Sequence, residues 1–248
     1  MRKNKVDRDA AQTSQMYALL GALSDDLSLP LLQIKSSVEV LEQVSFARAA
    51  SRAQAERISL SADNGLQLIE AYRLVLKSSQ ITDMDYEPVA IGAVLEEVAH
   101  QLSPYAKKYD TELLVNVQHH LTPVLAHQPS LSAALQVLSA SMIRAQAAQV
   151  RQKHYKLLLG AHRSPDSVIS AGVFSNVQGL SDKTLRSARG LVGKARQPLP
   201  AIPAGAASGV LIADMLCTAM WQPLRAAAHG GMHGLATAVP ISKQLVFV

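Results

Sequence analysis

Two long stretches near the N-terminus carry apolar residues at helical spacing. In the first, apolar residues recur at steps of three and four, which predicts an amphipathic helix from about residue 14 to about residue 44. Its stripe consists of Met16, Leu20, Leu23, Leu27, Leu31, Ile34, Val38 and Leu41. Pro30 lies in the middle of this helix and removes a backbone donor, so a kink is expected there. The second stretch predicts another helix, with a stripe formed by Ile58, Ala62, Leu66, Ile69 and Leu76.

A short polar turn at 45–52 separates the two stretches and predicts an antiparallel helical hairpin. Two helices of about 30 residues cannot bury both stripes against each other alone. The pattern therefore predicts a four-helix bundle made by two copies of the chain, and hence a homodimer.

After residue 80 the helical period gives way to short apolar runs that alternate with helical patterns, which predicts an α+β domain. The predicted strands are 89–90, 112–117, 123–126, 155–162, 168–175, 234–239 and 244–248. The predicted helices are 91–106, 130–148 and 208 to about 228, with a basic helix or loop at 181–196 and a proline-rich loop at 198–203. The chain is thus divided into a basic tail (1–13), a helical hairpin for dimerisation (14–80), a linker (81–88) and an α+β domain (89–248).

Composition indicates the size of the core and the cellular compartment to expect. Apolar residues make up 48% of the chain, enough for a sizeable core. A single cysteine, Cys217, excludes an internal disulfide framework and favours a reducing compartment. No uncharged apolar run is long enough to span a membrane, and the charged N-terminus is followed by no signal core, so a cytoplasmic protein is expected. Residues 1–138 hold 12 Lys and Arg against 16 Asp and Glu, whereas residues 139–248 hold 12 against 3, so a basic half follows an acidic half.

The stretch S-D-D-L-S-L-P-L at 24–31 resembles the S-H-E-L-R-T-P-L box of sensor histidine kinases. Asp25 stands where that family carries its phospho-accepting histidine, Asp26 matches the neighbouring carboxylate, and Pro30 matches the proline. A carboxylate cannot form a phosphoramidate, so the ordinary acceptor atom is missing. The resemblance also implies that receiver domains of response regulators dock on the exposed side of this hairpin, through Leu27, Ser28, Leu31, Lys35 and Glu39.

Two further stretches are similar to the ATP-binding domain of histidine kinases, whose GHKL-type fold is shared with gyrase and MutL. They are E-P-V-A-I-G-A-V-L-E-E-V at 87–98 and P-V-L-A-H-Q-P-S-L-S-A-A-L-Q-V-L-S at 123–139. The resemblance spans residues 14–239 in the right order. It implies an α+β protein in which a dimeric helical hairpin precedes a histidine-kinase-type α/β sandwich.

The positions that would bind ATP and Mg²⁺ by this resemblance carry other residues. Val137 and Ser141 stand at the two asparagine positions, and a serine hydroxyl is a weak ligand for a hard cation. Ser175 replaces the adenine-reading aspartate. The remnant nucleotide-binding residues are Ser141, Ser175, Asn176, Gly179, Gly205 and Gly209. The final glycine motif, H-G-G at 229–231, is shortened and leaves almost no room for the hairpin that normally follows. No cofactor is therefore expected, although residual ATP and Mg²⁺ binding stays open.

Two other sets of polar residues are candidates for a functional site. The histidines lack the fixed spacing and the acidic or thiolate company of metal ligands, so solvated loop histidines are expected and no metal site is predicted. A basic segment lies where the mobile ATP lid would be, and its members are Lys183, Arg186, Arg189, Lys194 and Arg196. It is either a solvated basic helix or a surface for an acidic partner, such as the carboxylate-rich face of a response regulator.

The combined losses predict a pseudokinase that acts by protein interaction in two-component or phosphorelay signalling. The expected partners are a second copy of the chain and either a response-regulator receiver domain or another histidine kinase, with no membrane partner. One alternative is a divergent active histidine kinase or a phosphotransfer protein with an acyl phosphate on Asp25. Another is nucleic-acid binding by the basic half, which the absence of interleaved aromatic residues in the basic segment disfavours.

Overall fold

The structure is a computed structural model. It describes residues 27, 30–41, 48–78, 85–147, 155–165, 168–176, 185, 207–220 and 222–242. The basic tail, the proline-rich loop and the predicted strand at 244–248 lie outside the described residues.

A helical hairpin opens the described part of the chain. Helix α1 covers residues 30–41, and helix α2 covers Arg48–Ser78. The side chains of Leu27 and Pro30 lie against Gly65 of α2, while Gln33 accepts a hydrogen bond from Ser61 (3.0 Å). Contacts that move forward along α1 thus move backward along α2, which confirms the antiparallel hairpin. The predicted turn at 45–52 was too long, because α2 already begins at Arg48.

Helix α2 has a second apolar face that joins the hairpin to the rest of the protein. Leu68, Ala71, Tyr72 and Val75 are almost completely buried in the main core. They belong to the part of α2 that packs on two helices of the following domain, α4 (Gln128–Ala147) and α5 (Ala207–Ala219). Burial of each large side chain contributes about 1.5–3 kcal/mol, so this contact ties the hairpin firmly to that domain.

The following domain is a mixed sheet covered by helices on one face. Strand β1 (Glu87–Val89) pairs with β3 (Val124–Ala126), and the main sheet has the order β2-β4-β5-β7-β6. Its strands are β2 (Thr111–Val117), β4 (Tyr155–Arg163), β5 (Val168–Ser175), β6 (Arg225–His229) and β7 (Met232–Pro240). Only β2 and β4 are parallel. Helix α3 (Ile91–Lys108) packs on α4 and β2, and α4 packs on α5, which places the core between these helices and the sheet.

Alternation along the strands separates the two faces of the sheet. Leu157, Leu159 and Ala161 of β4 belong to the main core under the helices, so Leu158 and His162 lie on the opposite face. That opposite face is called the outer face below. It carries a small second cluster around Leu158, Phe174 and Ala236.

The last predicted helix was wrong in its second half. Helix α5 ends at Ala219, and Arg225–His229 forms strand β6 instead. The carboxylate of Asp214 accepts a hydrogen bond from the backbone N–H of Leu224 (3.0 Å), which turns the chain back towards the sheet. The alanines of β6 favour helix intrinsically, but pairing with β7 overrides that preference.

The glycine pair after β6 is the hairpin turn itself. Gly230 and Gly231 have positive φ angles of 58° and 76°, as a tight two-residue turn requires, and His229 pairs with Met232 across it. The hairpin of β6 and β7 therefore does not follow the H-G-G motif but turns at its two glycines. In the described part of the chain no helix is long and apolar enough to cross a membrane.

Candidate functional site

Of the box at 24–31, the structure describes Leu27, Pro30 and Leu31. Asp25, Asp26 and Ser28 lie outside the described residues, and the predicted kink at Pro30 stays a prediction. Leu27 is half-buried and Pro30 is buried.

The remaining predicted docking residues share one exposed face of α1. Leu31 is 61% exposed, and Lys35 and Glu39 follow it at steps of four. Lys35 Nζ lies 3.9 Å from Glu39 Oε1, and both side chains are solvated, so this pair contributes little to stability. A mixed apolar and charged face is therefore open to a partner.

An apolar surface runs along both helices of the hairpin. Its members, here named the hairpin seam, are Leu31 and Val38 on one face of α1 and Leu66 and Ile69 on one face of α2. Each is between 39% and 64% exposed. The described part of one chain does not cover them, as the sequence pattern predicted for two stripes.

The first remnant nucleotide position is closed by helix packing. Ser141 of α4 is fully buried, and Gly209 of α5 lies directly against it. A Cβ atom on residue 209 would collide with Ser141 Oγ and would lie 3.2 Å from the carbonyl oxygen of Val137. The position that the resemblance assigns to a Mg²⁺-binding asparagine is therefore covered by α5.

Buried polar groups continue along α4 from this point. Arg144 Nη2 donates a hydrogen bond to Ser141 Oγ (3.3 Å), and Arg144 also interacts with Tyr105 of α3. Burial raises the pKa of Tyr105, and the nearby Arg144 charge offsets part of that rise. Among the described residues no carboxylate forms an ion pair with Arg144, and its Nε has no hydrogen-bond partner.

The second remnant box also serves internal packing. Ser175 is buried at the end of β5 and accepts a hydrogen bond from Gln146 of α4. Asn176 is exposed, and its Oδ1 accepts a hydrogen bond from the backbone N–H of Lys156 (3.1 Å), which holds the start of β4. The structure thus brings Ser141 and Gly209 together, while Ser175 and Asn176 bond elsewhere.

Several residues of the predicted sites lie outside the described residues. They are Gly179, Gly205 and the five basic residues of the lid segment, Lys183, Arg186, Arg189, Lys194 and Arg196. Leu185, from the same segment, is described and is buried in the main core.

One open cleft lies at the end of α3. It has a volume of about 500 Å³ and is lined by Lys107, Asp110, Thr111, Glu112, Tyr155 and Lys156. Lys156 and Glu112 form an ion pair at its edge (3.0 Å). None of these residues belongs to the remnant nucleotide positions.

A polar junction links the hairpin to α3. Gln33 Oε1 accepts hydrogen bonds from Ser61 (3.0 Å) and Lys108 (3.3 Å), while Gln33 Nε2 donates to the hydroxyl of Tyr109 (3.4 Å). Gln33 and Tyr109 are 76 positions apart, so no local pattern in the sequence signals this junction.

Two histidines also depart from expectation. His119, His120 and His233 are exposed as predicted, but His229 is half-buried and bonds to His162 of β4 through their Nδ1 atoms (3.0 Å). No local pattern indicates this pair, because 67 positions separate its members. In the described part of the chain no group of three or more His, Cys, Asp or Glu side chains is arranged to hold a metal ion.

Comparison with known proteins identifies solved structures with a similar fold. No protein-family model matches the chain, and no curated protein matches it by sequence. The Acinetobacter baumannii histidine kinase AdeS superposes with a TM-score of 0.53 at 12% identity, over 87% of this chain and 97% of AdeS. Full-length ShkA in complex with AMPPNP superposes with a TM-score of 0.52 at 14% identity, over 94% of this chain. This chain spans 46% of the length of ShkA. It has a histidine-kinase-like fold, a helical hairpin followed by a GHKL-type α/β unit, as the sequence resemblance implied.

Proposed function

We propose that this chain is a pseudokinase of histidine-kinase architecture that acts by binding partners in two-component or phosphorelay signalling. The observation that carries the proposal is the contact between Ser141 and Gly209. At the position where the resemblance expects a Mg²⁺ ligand, α5 instead packs directly on α4. Phosphoryl transfer depends on a metal ion that bridges the phosphates and neutralises charge, so loss of this ligand removes the main source of transition-state stabilisation.

Two further features support the same conclusion. Asp25 replaces the acceptor histidine, and Ser175, at the adenine-reading position, is buried and bonded to Gln146. One loss can be compensated by a neighbouring group. Loss of the acceptor, the metal ligand and the adenine anchor together leaves no part of the ordinary reaction in place.

Calorimetric titration with ATP and Mg²⁺ tests the proposal. We expect no saturable heat up to millimolar nucleotide, with Mg²⁺ alone as the control. Incubation with γ-labelled ATP is expected to leave the protein unlabelled. Label that disappears in Asp25→Ala would instead identify an acyl phosphate and an active phosphotransfer protein.

Partner binding is assigned to the exposed face of α1. Lys35 and Glu39 supply charges of both signs for orientation, and Leu31 lies at the border between this face and the hairpin seam. By resemblance, the partner is a response-regulator receiver domain.

A panel of purified receiver domains, with and without beryllofluoride, tests this assignment. We expect saturable binding of at least one receiver, weakened at least tenfold by Lys35→Glu and unchanged by Lys107→Glu, an equally exposed lysine on α3. Equal binding by the two variants, or no binding by any receiver, would contradict it.

A further inference from the structure

Two histidines from strands that are not neighbours meet on the outer face of the sheet. His162 lies on β4 and His229 on β6, and strands β5 and β7 separate them in the sheet order. Their Nδ1 atoms are 3.0 Å apart, and Asn116 of β2 bonds to the other nitrogen of His229. These three residues are named the clasp. We propose that the clasp binds a divalent copper or nickel ion between the two Nδ1 atoms.

The surroundings hold the His229 ring in this position. A Cβ atom on Gly160 would collide with the ring, so glycine makes its approach to β4 possible. Phe174 of β5 lies on the other side, with the ring centroids 5.4 Å apart. The ring is therefore positioned before any ion arrives, which lowers the entropic cost of binding.

Asn116 sets the tautomer of His229. Its Oδ1 lies 3.2 Å from His229 Nε2, and a carbonyl oxygen can only accept, so Nε2 carries the proton. The neutral ring then presents a lone pair at Nδ1, directed to His162. Histidines that bind metals commonly donate their second N–H to such an oxygen.

The distance between the Nδ1 atoms fits ligands at a right angle. Two nitrogens about 2.0–2.1 Å from one ion and about 90° apart are separated by about 3 Å, whereas tetrahedral ligands are separated by about 3.4 Å. The ring planes are nearly parallel, at 12° to each other, and the ring centroids are 4.9 Å apart. This arrangement suits tetragonal Cu(II) or Ni(II) better than tetrahedral Zn(II).

Without metal, His162 Nδ1–H donates to the lone pair of His229 Nδ1. Binding moves the His162 proton to its Nε2, so both Nδ1 lone pairs face the ion and no net proton is lost. Water fills the remaining positions, because the described residues offer no third histidine or acidic ligand here. Both rings are only partly buried, so the ion has access from solvent.

Titration of the full chain with Cu(II) alone, followed by visible absorption and electron paramagnetic resonance, tests the proposal. We expect one equivalent bound at a site with two coordinated imidazoles, and weaker binding of Zn(II). His162→Gln and His229→Gln are each expected to weaken binding at least tenfold. Asn116→Leu keeps both ligands but removes the orienting oxygen, and it is expected to weaken binding about tenfold.

The matched controls are His233→Gln in the same hairpin and His119→Gln in an exposed turn, and both are expected to bind like the parent chain. Pulsed paramagnetic resonance on the parent chain counts imidazoles without any variant, so the test survives if a variant does not fold. Absence of a stoichiometric site, fewer than two imidazoles, or equal binding by His162→Gln would show an adventitious ion only and overturn the proposal.

Discussion

Gly209 determines how closely α5 approaches α4. Its hydrogen atom faces Ser141 where any side chain would meet the hydroxyl and the backbone of α4. The sequence resemblance makes this glycine one of the remnant nucleotide-binding residues. The structure favours packing, and only the neighbouring helix reveals it, because residues 141 and 209 are far apart in the chain.

A Gly209→Ala substitution is therefore expected to destabilise the fold by about 1–3 kcal/mol, measured by urea unfolding. The matched control is Gly92→Ala on α3, where the new methyl group would lie 3.6 Å from Val117, an ordinary contact. That control is expected to gain up to about 1 kcal/mol from helix propensity. Equal stability of Gly209→Ala and the parent chain would show that α5 is not in close contact with α4.

Cys217 is a free cysteine whose side chain is buried in α5. Burial raises the pKa of its thiol to about 12, and the nearby Asp214 charge adds to this rise. The thiolate is the reactive form, so at pH 8 the native protein is expected to leave Ellman's reagent unreacted, while one thiol per chain reacts in urea. Because the folded-state pKa lies above the unfolded value, the thiol's contribution to stability is complete below about pH 9 and is lost progressively as the pH rises from there to about 12. Fast reaction of the native protein would contradict its burial.

At the scale of elements, α2 carries two apolar faces. Of the stripe predicted from the sequence, Leu66 and Ile69 are exposed, whereas Leu76 packs against the main core. The buried face of Leu68, Ala71, Tyr72 and Val75 was not predicted, although its steps of three, one and three are helical. Most strands and helices could be predicted to within two residues because alternation and helical period are local signals. Strand β6 was missed because its alanines match a helix and only β7 makes them a strand.

The Gln33 junction predicts a local change in dynamics. Gln33→Ala removes three hydrogen bonds that tie α1 to α2 and α3, while the apolar contact of α2 with α4 and α5 remains. We expect faster hydrogen exchange across 30–41 and a loss of only about 1 kcal/mol in global stability. Gln101→Ala is the control, because its two side-chain hydrogen bonds lie within the following domain. Unchanged exchange in α1 would mean that the junction does not hold the hairpin.

At the scale of the molecule, one continuous core runs from α2 into the sheet. The sheet domain is packed on α2 and is also bonded to α1 through Gln33. Neither the sequence nor the fold identifies the partner, because recognition also depends on the chemistry of the partner's own surface.

The hairpin seam leads to the last prediction, that two copies associate through it. Four exposed apolar side chains on adjacent helices are more than isolated surface residues and are expected to pair in a four-helix bundle. Light scattering should give a dimer, and the melting temperature should rise with protein concentration, because association stabilises the folded state. Leu66→Glu places a charge in the centre of the seam and is expected to yield monomer, whereas Ala93→Glu on the exposed side of α3 is expected to remain dimeric. A parent chain that stays monomeric at tens of micromolar, or a dimer that survives Leu66→Glu, would contradict association through the seam.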